Sequence, residues 1–226
     1  MTEIGESLAL LQLGDSFFPS GAASFSWGLE TLRAEGLVNR AGDVESLIAG
    51  QLTHRWAGFD RVAVAWAHRA AGDLDRVLAV DRAVDAATLA REGREGARRI
   101  GAALLNVHIG METPGCAEYR AAVQAGAAFA QMAAVQGHVG QALGIGEAAA
   151  CAMSAYGLAV SMAGAALRVG LIGHVEVQRV LSRQRTRIAA LVAEPVPALD
   201  TLCAYTPMAE IAMMRHETGS GRLFAS

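Results

Sequence analysis

"EAAACAMSAYGLAVSMAGAALRV", residues Glu147 to Val169, is the stretch on which the fold turns. From Ala148 to Leu167 it carries no charge, a length close to the ~20 residues a helix needs to cross a bilayer. Its bulk is alanine, glycine and serine, with Met153, Leu158, Val160, Met162 and Leu167 as the large aliphatic side chains. Insertion into lipid relies on Leu, Ile, Phe and Val, and small residues add little. Small faces instead let helix backbones approach closely. The stretch therefore reads as a helix packed by small faces into a protein core, with no membrane span.

Its neighbours supply the surrounding helices. Val175 to Val192 is amphipathic, carries Arg179, Arg183, Arg185 and Arg187, and is ended by Pro195 and Pro197. A short helix over Met208 to His216 follows. Upstream, Gly137 to Gly146 reads as a glycine-rich break, preceded by a helical segment reaching Gln136 that starts after the turn in "ETPGCAEYR". Asp73 caps a helix that continues past Arg91 toward Asn106, with weak points at Gly93 and Gly96. A helical pattern runs from Gly58 and Phe59 to Ala71. Asp43 reads as the N-cap of "VESLIAGQLTHRW", with Glu45 in the first turn, where the helix dipole favours an acid. Ser7 to Leu13 forms a first helix ending at Gly14-Asp15, and Pro19 and Ser20 stand at the entry of a second through "FSWGLETLRAEG".

Apolar residues recur at helical spacing, and β-branched runs are absent. No repeat, low-complexity block or linker divides the chain. The expected fold is all-α, a single globular domain of many packed helices over residues 1–216, with a flexible C-terminal tail over 217–226.

At 226 residues such a domain can bury ~70% of its unfolded surface and needs no disulfide or metal staple. The net charge of −3 is that of an ordinary soluble protein, not of a nucleic-acid binder. All 19 basic residues are arginine, which excludes a Walker A loop and a Schiff-base lysine. Cys116, Cys151 and Cys203 form no C-x-x-C pair and read as free buried thiols. The first residues lack a basic n-region before their apolar run, so a cytoplasmic location is expected.

The search for chemistry yields little. His54, His68, His108, His138, His174 and His216 include no i, i+4 pair, so no metal site and no cofactor is expected. "GIGEAA", Gly144 to Ala149, imitates a dinucleotide fingerprint but has no strand before it. "SFSWG" has half of a nucleophile elbow, with Ser24 in place of the first glycine. The arginines of α-helical segments 91–99 and 179–187 alternate with apolar positions and read as solvated faces; Arg183 and Arg187 share a face that suits an acidic partner.

Two segments stand out. "DSFFPSGAASFSWGLE" concentrates Phe17, Phe18, Phe25 and Trp27 around Pro19, Gly21 and Gly28. "HETGSGRLFAS" closes the chain with a Leu-Phe pair on a polar tail, a composition suited to anchoring in an interface. Read as chemistry, the aromatic corner from Phe17 to Trp27 could form the pocket of a small all-α enzyme, with Asp15, Ser26 and Glu30 converging on it.

These two segments resemble the urease accessory protein UreF family, whose members carry P-x-G-[AG]-[FY]-x-x-S-x-G-[LF]-E near the N-terminus. Here the pattern is Pro19, Gly21, Ala22, Ser26, Gly28, Leu29 and Glu30, with Ala23 in place of the usual aromatic. Members end in a histidine–glutamate pair, a spacer and Arg-Leu-Phe, which matches His216-Glu217 and Arg222-Leu223-Phe224; Gly219 and Gly221 lie in the spacer. Tyr156, Arg168, Gly173 and Gln178 match the long helix and its successor, while Gly140 stands where a proline is common. The resemblance implies an all-helical, non-catalytic homodimer that works in nickel delivery to urease, binding UreD (also called UreH) and recruiting the GTPase UreG to the urease apoprotein. It implies partner-binding roles for His216, Glu217, Arg222, Leu223, Phe224 and Ser226, and structural or interface roles for Pro19, Gly21, Ser26, Gly28, Leu29, Glu30, Tyr156, Arg168 and Gln178.

Overall fold

The computed structural model describes residues 2–15, 17–19, 25–70 and 72–216. Among them are eleven α-helices and no strand. In chain order these are α1 (Glu3–Gly14), α2 (Leu29–Ala34), α3 (Ala41–Gln51), α4 (Asp60–Arg69), α5 (Leu74–Ala87), α6 (Arg91–Gly110), α7 (Cys116–Gln124), α8 (Met132–Ala142), α9 (Glu147–Arg168), α10 (His174–Ala193) and α11 (Pro207–His216).

The long alanine-rich helix α9 lies at the centre, touching α1, α2, α3, α4, α8 and α10. Ala155, Ala159, Met162, Ala163 and Ala166 on it are fully buried. By length and composition α9 could cross a membrane, but most of it is enclosed by the other helices. Small residues on its partners make that possible. A Cβ on Gly137 of α8 would lie 2.2 Å from the Val64 carbonyl oxygen of α4, and one on Gly140 would lie 3.1 Å from Ala150 Cβ of α9.

Those two glycines correct the first half of the break expected over Gly137 to Gly146. Both sit inside α8, where they admit neighbouring helices; the chain does break over residues 143–146, between α8 and α9, and a further break falls earlier, between α7 and α8. Two acids of α5 explain its position. Asp81 accepts the backbone N–H groups of Phe129 (2.7 Å), Ala130 (2.9 Å) and Gln131 (2.8 Å), holding the segment out of helical conformation. Asp85 accepts from Gln131 Nε2 at 2.7 Å and from both Arg98 Nε and Nη2 at 2.7 Å. Burial pushes the Asp81 carboxyl up, opposed by the three amides.

Other boundaries move for similar reasons. The helix expected from Asp73 to Asn106 is two helices, parted at Thr88–Ala90, where Arg94 Nη1 donates to the Thr88 carbonyl at 2.7 Å. Asp73 does cap α5, accepting from the Arg76 N–H at 3.2 Å. Asp43 is not an N-cap but the third residue of α3, reaching back with Oδ2 to the N–H groups of Asn39 (3.0 Å) and Arg40 (3.2 Å). A π-helical turn, Leu52–Trp56, continues α3. The stop at the end of α10 is reinforced by buried Arg61, whose Nη1 donates to the carbonyls of Leu191 (2.6 Å) and Glu194 (2.9 Å). Cys116 and Cys151 are buried as expected, but Cys203 is exposed.

Candidate partner-docking site at the root of the tail

The helix expected through Phe25 to Trp27 starts only at Leu29; Trp27 and Gly28 form a turn, closed by the Leu29 N–H, which donates to the Ser26 carbonyl at 3.1 Å. Trp27 and Gly28 both have positive φ, 55° and 80°, a conformation that glycine adopts without steric cost. Gly28 is also where α11 sits down. A Cβ there would fall 2.8 Å from the Ala209 carbonyl oxygen and 3.1 Å from Ala212 Cβ. Opposite, Phe25 lays its ring into a notch of α6 at Gly96, occupying the space of a side chain at that position. Gly96 is therefore a receiving surface within α6, and both Gly93 and Gly96 lie in unbroken helix rather than at weak points.

Three helices meet over this corner: α2, α6 and α11. Pro207 opens α11, where the missing N–H costs no hydrogen bond. Ala209, Ala212, Met213 and His216 face inward. His216 ends the helix with its ring between two acids. Its Nε2 lies 3.0 Å from Glu30 Oε2, and its Nδ1 lies 3.0 and 3.1 Å from the two carboxylate oxygens of Glu92. All three side chains are largely buried, at 4%, 13% and 10% exposure for His216, Glu30 and Glu92. Outside the clamp, Arg215 pairs with Glu35 at 2.9 Å on the surface.

The structure thus brings Gly28, Leu29, Glu30 and His216 into one site, with Ser26 fully buried beneath. Glu92 was not singled out in the sequence. No local pattern marks it, because its partner His216 lies 124 residues further along the chain. Pro19 is exposed; Gly21, Glu217, Arg222, Leu223, Phe224 and Ser226 lie outside the described residues.

Tyr156, Arg168 and Gln178 lie elsewhere, all exposed. Tyr156 belongs to a stripe on the open side of α9 formed by Met153, Tyr156, Gly157, Val160, Gly164 and Leu167, none of them buried. Tyr156 and Val160 are 39% and 42% exposed. Among the described residues, nothing lies within 4 Å of a Cβ placed on Gly157 or Gly164. The small-residue face expected to be wholly core thus has one side open.

Among the described residues, the arrangement does not gather Asp15, Ser26 and Glu30 into a pocket at the aromatic corner. Asp15 is exposed and accepts the Phe17 N–H at 2.8 Å, Phe17 is 93% exposed, and Glu30 is engaged by His216. A nearby cavity of about 20 Å³ is lined by Arg55, Phe59, Thr88, Gly93, Glu210 and Met213, room for about one water. On α10, Arg183 pairs with Glu45 at 2.7 Å and Arg187 with Thr53 at 3.3 Å, tying α10 to the α3 side of the fold.

Comparison with known proteins points to one family. The model of the UreF family matches residues 38–185. The chain belongs to the UreF family. The urease accessory protein UreF of Trichodesmium erythraeum (strain IMS101) is 31% identical over 229 residues, covering 100% of this chain and 99% of that relative. UreF of Actinobacillus pleuropneumoniae is 32% identical over 227 residues, covering 99% of this chain and 100% of its own length. UreF of Kocuria rhizophila is 34% identical over 231 residues, covering 97% and 96%. UreF relatives therefore span both ends of the chain, including the corner at Gly28 and the clamp at His216.

Proposed function

We propose that this UreF-family chain is a cytoplasmic, non-catalytic scaffold of urease maturation. It links UreD/UreH to the GTPase UreG so that nickel can be inserted into the urease apoprotein. The observation that carries this reading is the similarity to urease accessory proteins over 97–100% of the chain. The clamp at His216 supports a division of labour. It fixes α11 to α2 and α6, so the residues that follow, with Arg222, Leu223 and Phe224 as anchors, start from a rigid point. Docking a peptide from a fixed root lowers the ordering cost of binding.

The scaffold works as a homodimer through the open stripe of α9. A glycine inside a helix costs roughly 0.5–1 kcal/mol relative to alanine. Among the described residues nothing packs against Gly157 or Gly164, so the described fold gives no reason for them. A second helix crossing the stripe does, since small residues permit close approach.

Co-purification with UreD/UreH tests the docking role. Deleting residues from Gly219 onward should abolish it with helicity unchanged by circular dichroism. Undiminished co-purification of the truncated chain would refute the role of the tail.

A further inference from the structure

Helix α1 is apolar on two sides. Ala9, Leu10 and Leu13 pack against the core, while Ile4, Leu8 and Leu11 recur at i, i+4, i+7 on the outer side, 75%, 61% and 69% exposed. A helix apolar all round is ordinarily covered. The helix is not loosely attached, since it touches α9 and its Glu6 Oε1 accepts the Gly146 N–H at 2.8 Å, one residue before α9 begins. It carries Glu3 and Glu6 in its first turn and no basic residue.

We propose that the outer face of α1 is a clasp that binds a second copy of this chain at the corner between α9 and α10. This rests on the α9 seam described above. Two copies related by a two-fold axis make an isologous contact, each residue meeting its reciprocal. In a seam centred on Val160, an antiparallel arrangement sets Tyr156 opposite Gly164, Met153 opposite Leu167, and Gly146 opposite His174. A parallel one would set each α1, with its two acids, beside the other α1. Charge selects the antiparallel arrangement, because the far corner is basic and apolar. Val175 is 64% exposed, Leu171 is half-buried, and Arg168 and Arg179 are exposed. Its one acid, Glu176, accepts the Gly173 N–H of its own chain at 2.9 Å. In the dimer Ile4, Leu8 and Leu11 cover Leu171 and Val175 of the second copy, and Glu3 approaches Arg179.

The test uses the full chain with Cys203→Ser, which removes the exposed native thiol. Leu8→Cys and Val175→Cys, introduced together, should give a covalent dimer with a short bismaleimide, and either change alone should not. By light scattering, Glu3→Arg and Arg179→Glu should each raise the dimer dissociation constant about tenfold, and the double swap should restore it. A dimer that Val160→Arg dissociates, but that neither cross-links nor responds to the charge changes, overturns the clasp and leaves the seam standing. A monomeric wild-type chain overturns both.

Discussion

His216 Nε2 and Glu30 Oε2 lie 3.0 Å apart across 186 positions of sequence, and this contact fastens the last described helix to the corner of the second. Glu92 closes the clamp from the other side of the ring. One imidazole therefore links three helices at the point where the C-terminal tail departs.

Replacing His216 should accordingly loosen α11 and cost stability. His216→Ala removes charge-assisted hydrogen bonds to two buried carboxylates and is expected to cost about 1.5–3 kcal/mol. His216→Gln, which restores one N–H donor direction, should recover part of that loss. Urea unfolding measures both. Equal stability of all three chains would mean that the clamp holds nothing.

Gly96 offers a second test of the corner. A side chain there must displace the Phe25 ring, whose tip stands 1.5 Å from the position of a Cβ. Gly96→Ala is expected to destabilise by about 1–3 kcal/mol in the wild-type background. In a Phe25→Ala background the same change should cost much less, because the two residues share one space. Additive losses in the double variant would contradict the packing.

The cysteines should separate by environment. Burial pushes the Cys116 thiol up to about 11 and the Cys151 thiol up to about 12, from an ordinary value of 9.0. In native protein a thiol reagent should modify Cys203 quickly and the other two only on unfolding. The linkage has a defined sign. An acid whose pKa is higher when folded holds its proton longer in the folded state, so unfolding releases protons once the pH passes 9.0. The stability contribution is present in full below that point and declines as pH rises from 9.0 toward 12. Cys151→Val should flatten the decline in an alkaline unfolding series; an unchanged slope would contradict it.

Within α9, the exposed glycines give a prediction with opposite signs for fold and assembly. Gly157→Ala should stabilise the isolated chain by up to about 1 kcal/mol. Gly164→Leu should leave helicity intact but raise the dimer dissociation constant, because a bulky side chain keeps the two helices apart. Light scattering at decreasing concentration reads the second effect, and a dimer as tight as wild type would contradict the seam.

Where the sequence was legible, side chains and breakers acted locally. Periodic apolar positions, with Pro195 and Pro197 as stops, placed α9, α10 and α11 to within one residue at each end. Glycines were misread wherever their meaning depended on a distant neighbour. Gly96, Gly137 and Gly140 look like breaks in one dimension, yet they are notches for Phe25, Val64 and Ala150. The real break before α8 was set by Asp81, a side chain 50 positions from Gln131. The site divides in the same way. Gly28, Glu30 and His216 stood in recognisable motifs, while Glu92 had no local mark because its partner lies 124 residues away.

The central claim is that this chain joins UreD/UreH to UreG. Size-exclusion chromatography with light scattering on the purified proteins tests it directly. UreG is expected to co-elute with UreD/UreH when the full chain is present and to elute separately when the chain is omitted or truncated before Gly219. Co-elution of UreG with UreD/UreH in the absence of this chain, or its failure to join when the chain is present, would contradict the scaffold role.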